Sequence, residues 1–222
     1  MSERTTSPSK NPASAVPADD SEDLTRPVTT GTRHWRVVDI VVAAVLGVAC
    51  GLIFWVWNSI GSAWYSTASA LLPGLGGIAT GIWYLGGTLG ALVIRKPGAA
   101  IFVEVVAATV SALIGNAWGI ETITSGIFQG LGVELVFLIC RYRVWTLPVS
   151  MLAGAGAGLF AWANELFIGS TPNITLSFGF NAIYLVSNLI SGAVLAGLLG
   201  WLLTRALART GVLSRFASGR EV

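Results

Sequence analysis

Residues 35–57, WRVVDIVVAAVLGVACGLIFWVW, decide the fold. After Asp39 no charged residue appears until the stretch has ended. A soluble helix alternates apolar and polar faces, and this segment has no polar face. A run of about 20 such residues spans a hydrocarbon core of about 30 Å, and in lipid only a helix pairs all its own backbone groups.

Similar segments follow in close succession. Together they are read at 35–57, 76–94, 98–117, 122–141, 145–168 and 179–206, which predicts an all-α membrane protein built as a six-helix bundle. Composition agrees: of 222 residues 54 % are hydrophobic and 11 % are Asp, Glu, Lys or Arg, against about a quarter charged in ordinary soluble domains. Mean hydropathy is +0.73. The net charge of +2 gives no reason to expect a nucleic-acid partner.

The stretch 58–75, NSIGSAWYSTASALLPGL, is too polar and too broken to span cleanly. It is expected to form a short interfacial helix and a loop ending at Pro73-Gly74. Residues 1–32 are rich in Ser, Thr, Pro, Ala and Asp, and their composition predicts a disordered tail. The transmembrane domain is read as 33–215, with 216–222 as a short C-terminal tail.

Lys and Arg set the orientation. Arg33 and Arg36 precede the first segment, Arg95 and Lys96 join the second to the third, and Arg141 and Arg143 join the fourth to the fifth. Arg205, Arg209, Arg215 and Arg220 follow the sixth, and the other three connections have none. This alternation predicts a multi-pass protein of a bacterial plasma membrane with both termini cytoplasmic.

No GxxxxGK motif followed by Ser or Thr occurs, nor HExxH, GxSxG or CxxC. An ATPase, hydrolase or redox enzyme is not expected, nor a cofactor or metal. Charged groups inside a membrane are costly and therefore candidates for function. Glu104 and Glu134 are read as ligand groups or as polar locks between helices. Glu121 and Glu165 lie near the outer surface, and Asp39 is expected to pair with Arg36. Trp83 and Trp162 sit deeper than an interfacial belt requires. With Tyr84, Asn116, Gln129, Tyr184 and Asn188 they can line an outward-facing pocket suited to a flat, cationic heteroaromatic ligand. Small residues recur four apart, as in Ala43, Gly47 and Gly51. That stripe either packs inside the bundle or docks a partner membrane protein.

Several motifs together carry a resemblance: Gly81-Ile82-Trp83-Tyr84, IRKPGAA at 94–100 with Glu104 after it, Gly115-Asn116, QGLGVE at 129–134, MLAG at 151–154, and Gly211-Val212-Leu213. Over 35–215 the chain resembles the YkoE family, the substrate-binding S components of energy-coupling-factor (ECF) ABC importers for thiamine or its hydroxymethylpyrimidine precursor. The resemblance implies a six-helix subunit that captures its vitamin at the outer face. It implies a transmembrane coupling protein and two cytoplasmic ATPases as partners, with Ala43, Gly47 and Gly51 facing the coupling protein. It carries over Glu104, Asn116 and Gln129 as ligand residues. Trp118, Glu121, Trp162 and Glu165 join them on location and chemistry. The competing readings are a stand-alone secondary transporter using its intramembrane carboxylates, and a structural membrane protein without a ligand.

Overall fold

The computed structural model describes residues 34–168 and 172–219, so the N-terminal segment read as a tail lies outside the described residues. Among the described residues every regular element is helical. Six rods follow one another: α1 (Val37–Leu71); a 3₁₀ segment (Leu75–Tyr84) running into α2 (Leu85–Ile94); α3 (Ala99–Ile114); α4 (Glu121–Ile139); α5 (Leu147–Phe167); and α6 (Phe178–Ser191), which passes through a π-helical stretch (Gly192–Leu198) into α7 (Leu199–Arg209). Four rods, Val37–Leu71, Leu75–Ile94, Glu121–Ile139 and Phe178–Arg209, are long and apolar enough to cross a membrane. α3 is apolar but shorter.

α1 corrects one expectation. It continues unbroken through residues 58–71, within the stretch 58–75 whose composition predicts an interfacial helix and a loop. The polar residues there do not break the helix because their hydroxyls bond back along it: Ser62 Oγ to the Asn58 carbonyl and Thr67 Oγ1 to the Ala63 carbonyl at 2.8 Å. The chain turns only after Leu71, at Pro73-Gly74, where Gly74 has φ +94°. A side chain is strained there, and a Cβ would also press on the Phe180 carbonyl.

The second rod is the axis of the bundle. Every residue of α2 is buried. α1 packs on α3, α3 on α4, α4 on α5, and α5 on α6 and the π stretch. Small residues make these contacts close. Thr88 Oγ1 donates to the Ala196 carbonyl at 2.9 Å and Ser150 Oγ to the Gly197 carbonyl at 2.7 Å, so two carbonyls of the π stretch are satisfied from neighbouring rods.

The Ala43–Gly47–Gly51 stripe corrects a second expectation. It does not lie on a free face but is buried against α3. A Cβ on Gly47 would stand 2.6 Å from Val106 Cβ, and one on Gly51 would stand 2.7 Å from Val110 Cβ. The stripe is the seam of an internal helix pair. The outward face of α1 is instead Val41, Val45, Val48 and Leu52, large and exposed as lipid-facing residues are.

The cation-bearing end is tied tightly. Asp39 accepts from the Arg36 backbone N–H at 2.7 Å, pairs with its guanidinium at 2.9 Å, and also receives Lys96 Nζ. Trp35 Nε1 donates to the Pro97 carbonyl at 3.0 Å. Phe216 and Ser218 are buried as well, with Ser218 Oγ donating to the Val93 carbonyl at 3.0 Å, so the packed body extends past 215.

Candidate functional site

At the opposite end, where no connection carries Lys or Arg, the rods part around a chamber of about 680 Å³. Small-ligand sites typically enclose about 300–1,000 Å³. The late half of α1 contributes Asn58, Ser62, Tyr65 and Ser66 to the wall. Their spacing of four, three and one places them on one helical face, one turn beyond Phe54. The 3₁₀ segment contributes Thr80 and Trp83, three residues apart and therefore eclipsed on its face, with Tyr84 following. Trp118, Glu121, Ser125 and Gln129 come from the start of α4 and the turn before it, Asn164 and Glu165 from the end of α5, and Tyr184 from α6.

Hydrogen bonds hold these groups in place. Trp83 Nε1 donates to Asn58 Oδ1 at 2.9 Å, and Asn58 Nδ2 donates to Ser111 Oγ at 3.0 Å, which links the second rod, α1 and α3. The rings of Trp83 and Trp118 meet edge to face, 5.7 Å between centroids. On the other side Tyr184 OH donates to Glu165 Oε2 at 2.5 Å, and Tyr65 meets the Tyr184 ring edge-on at 6.3 Å. The wall thus offers ring faces, amides and two carboxylates, Glu121 and Glu165, with no Lys or Arg in its lining. A low-dielectric wall bearing one sign of charge favours a cation, and the rings add to that preference.

Of the twelve residues expected to bind substrate, seven line this chamber: Trp83, Tyr84, Trp118, Glu121, Gln129, Glu165 and Tyr184. The other five do not, each for a visible reason. Glu104 is fully buried behind the wall, where its Oε2 accepts from the Gly87 N–H at 2.5 Å. With the Gln129 amide set so that each atom meets a complementary partner, its nitrogen lies 3.2 Å from Glu104 Oε1 and 3.1 Å from the Trp83 carbonyl. Glu104 therefore supports the wall from behind. Asn188 sits deeper still, accepting from Thr80 Oγ1 at 2.8 Å and from Tyr84 OH. Asn116 Oδ1 accepts from the Trp118 and Gly119 N–H groups at 3.0 and 2.8 Å, which shapes the turn that carries Trp118. Trp162 Nε1 donates to the Asn181 carbonyl at 3.1 Å, so its polar atom braces α6.

Glu134 lies at the other end of the bundle. It accepts from the N–H groups of Gly98 at 2.6 Å and Ala100 at 3.1 Å, and from Tyr142 OH at 2.5 Å. It is a carboxylate cap on the first turn of α3, where a negative charge meets the positive end of the helix dipole. The lock reading holds for it.

Sequence reasoning passed over Asn58, Ser62, Tyr65, Ser66 and Asn164. The signal for the first four was present: polar residues at helical spacing inside 58–69, continuing the phase of 35–57. Asn164 had a signal too, since it extends the buried row Ser150, Ala153, Gly154, Ala157, Gly158, Ala161 by one turn.

Comparison with known proteins agrees with this architecture. A family model described as the permease component of an ABC-type cobalt transport system matches residues 38–160. A Bacillus subtilis (strain 168) protein named as an HMP/thiamine permease, YkoE, is 40 % identical over 195 residues, which cover 86 % of this chain and 93 % of that one. A crystal structure of an S-component of an ECF transporter aligns with a TM-score of 0.71 at 36 % identity, over 85 % of this chain and 93 % of that chain. These relatives are transport components and not enzymes. The chain belongs to the YkoE-like S components of ECF transporters.

Proposed function

We propose that this protein is the vitamin-capturing subunit of an ECF importer, taking thiamine or its hydroxymethylpyrimidine precursor into the chamber from outside the cell. The observation that carries this reading is the chamber itself. It is a cleft of tryptophan and tyrosine rings, amides and two carboxylates at the cation-free end, in a chain 40 % identical to a protein named as an HMP/thiamine permease. Thiamine carries a permanent positive charge on one ring and an amino-substituted pyrimidine as the other. The carboxylates suit the charge, the ring faces suit both heterocycles, and the amides suit the pyrimidine edge. A metal cargo fits the chamber poorly: among the described residues no group of three or more His, Cys, Asp or Glu can hold an ion.

In this reading Trp83, Trp118, Glu121, Glu165, Gln129 and Tyr184 bind the ligand, Asn58 fixes Trp83, and Glu104 and Asn188 brace the wall. Both termini are cytoplasmic, which places the chamber outside and the Lys and Arg residues inside. Transport is completed by a membrane coupling protein and two ATPases, the partners that the family resemblance implies.

The test is a titration of the purified protein, without nucleotide, followed by tryptophan fluorescence. Saturable quenching by thiamine or hydroxymethylpyrimidine is expected, because Trp83 and Trp118 face the chamber. Absence of saturable quenching by both, together with absence of binding by calorimetry, overturns the ligand assignment. Concentrative uptake by vesicles containing this chain alone overturns the importer-subunit reading.

A further inference from the structure

Two arginines at the cation-bearing end are held over rings. Arg205, on α7, has its guanidinium carbon 4.3 Å from the centroid of the Trp201 ring. Arg95, in the turn after α2, lies 5.3 Å from the centroid of the Trp145 ring. Both indoles pack against one core cluster, which includes Leu92, Phe137 and Ala196. Register brings them to a similar level. Ser150 Oγ donates to the Gly197 carbonyl at 2.7 Å, where α5 leaves this end of the bundle and the sixth rod approaches it. Trp145 precedes Ser150 by five residues and Trp201 follows Gly197 by four, so each lies one to two turns nearer the end than that bond. The carboxylates nearby are already engaged. Asp39 is taken by Arg36 and Lys96, and Glu134 by the Gly98 and Ala100 N–H groups and Tyr142 OH. Among the described residues Arg205 forms no ion pair with a carboxylate. Trp201, Leu202 and Arg205 share one face of α7 by their spacing, and Leu202 is exposed on it, as is Leu152 on the neighbouring α5.

A guanidinium over an indole keeps its N–H donors at the edge of the ring, and that planar fork matches the oxygens of a phosphate. We infer that Arg95 and Arg205 bind the phosphate of an anionic phospholipid headgroup, with Trp145 and Trp201 beneath it and Leu152 and Leu202 beside the acyl chains. The apolar surface on the same pair of rods favours a lipid over a free anion, since inorganic phosphate has nothing to lay against it. Indoles are also at home at the headgroup boundary, and basic pockets between rods on the cytoplasmic side suit anionic headgroups. In the expected topology this end meets the cytoplasmic leaflet, whose surface potential is negative. The site lies at the opposite end of the bundle from the chamber and is independent of the vitamin-capture reading.

The experiment follows thermal unfolding of the purified full chain in neutral-detergent micelles, titrated with phosphatidylglycerol, phosphatidylcholine or inorganic phosphate. It is run in about 0.5 M NaCl, which screens diffuse surface charge. Phosphatidylglycerol is expected to raise the unfolding temperature saturably, and the other two to raise it little. Arg95→Gln and Arg205→Gln are each expected to weaken the apparent affinity for phosphatidylglycerol about tenfold, through loss of one charge-assisted contact. Arg205→Lys keeps the charge without the fork and is expected to recover only part of the loss. Arg209→Gln removes the same charge from the exposed last turn of α7 and is expected to stay within about twofold of wild type. An equal loss in Arg209→Gln shows diffuse attraction and overturns the site. Unchanged affinity in Arg95→Gln or Arg205→Gln overturns it, as does an equal response to phosphatidylcholine or inorganic phosphate. Arg95 Nε also donates to the Leu92 carbonyl at 3.3 Å, so Arg205→Gln against Arg209→Gln carries the test if Arg95→Gln does not fold.

Discussion

Glu104 shows how one buried side chain organises a wall without touching what the wall encloses. Its two oxygens face different rods: the Gly87 N–H on α2, and the Gln129 amide, which in turn reaches the Trp83 carbonyl. Truncation to alanine leaves the Gly87 N–H without its acceptor and opens a void between three rods. An unmet buried donor costs about 1–3 kcal/mol, and the void adds about as much. Glu104→Gln keeps the volume and an acceptor for Gly87, and the Gln129 amide can turn to meet it. We expect Glu104→Ala to lower the unfolding temperature of the detergent-solubilised protein by many degrees and Glu104→Gln by few. Thiamine affinity should change less than about threefold in Glu104→Gln, since hydrogen-bonding partners are retained. A much larger affinity loss in a stably folded Glu104→Gln would place this carboxylate in contact with the ligand.

At the scale of elements, the seam between α1 and α3 makes a prediction that separates packing from docking. A methyl group at Gly51 would stand 2.8 Å from the Ala107 carbonyl as well as 2.7 Å from Val110 Cβ. Overpacking of this kind costs about 1–3 kcal/mol. Gly51→Ala should therefore destabilise the isolated subunit, and adding Val110→Ala should recover only the share due to Val110 Cγ1, 2.8 Å away, because Val110 Cβ and the Ala107 carbonyl stay in place. A partner-facing glycine would behave otherwise, with unchanged thermal unfolding of the isolated subunit and weakened assembly alone. The same seam shows what a sequence can and cannot convey. Spacing by four reveals that a face is small, but not which helix will cover it, because a lipid-embedded bundle and a binary complex use the same close backbone approach. The rods themselves were legible, because apolar runs and cation placement are written locally. Residues 58–71 were misread for a physical reason: a hydropathy window averages over all faces, and this half of α1 is polar on one face because that face lines a chamber. Periodicity rather than average polarity carried the information. Seven of the expected residues line the chamber, six of them rings or carboxylates and the seventh the Gln129 amide, whereas Glu134 looks identical in sequence and is a helix cap.

Over the whole molecule the two ends have opposite characters. At the cation-bearing end the 95–98 turn is held from two rods, by Trp35, Asp39 and the His34 carbonyl on and beside α1, the last receiving Lys96 at 2.6 Å, and by Glu134 on α4. Arg95 also lies over the Trp145 ring, 5.3 Å from its centroid. At the other end the rods diverge around a chamber whose wall includes Ser66 and Thr122. In the proposed function the ligand enters from the hollow side, which the expected topology turns to the exterior. Single cysteines can test this with one reagent. Cys50 is buried and Cys140 is partly so, and a Cys140→Ser background removes the latter. Ser66→Cys should react with a membrane-impermeant maleimide applied to intact cells, and thiamine should slow that reaction because the ligand fills the space beside the thiol. Arg143→Cys should react only in inverted vesicles, and thiamine should leave its rate unchanged. Labelling of Arg143→Cys from outside would invert the topology and with it the direction of capture. Labelling of Ser66→Cys from outside with no protection by a ligand that demonstrably binds would keep the topology and move the ligand out of this chamber.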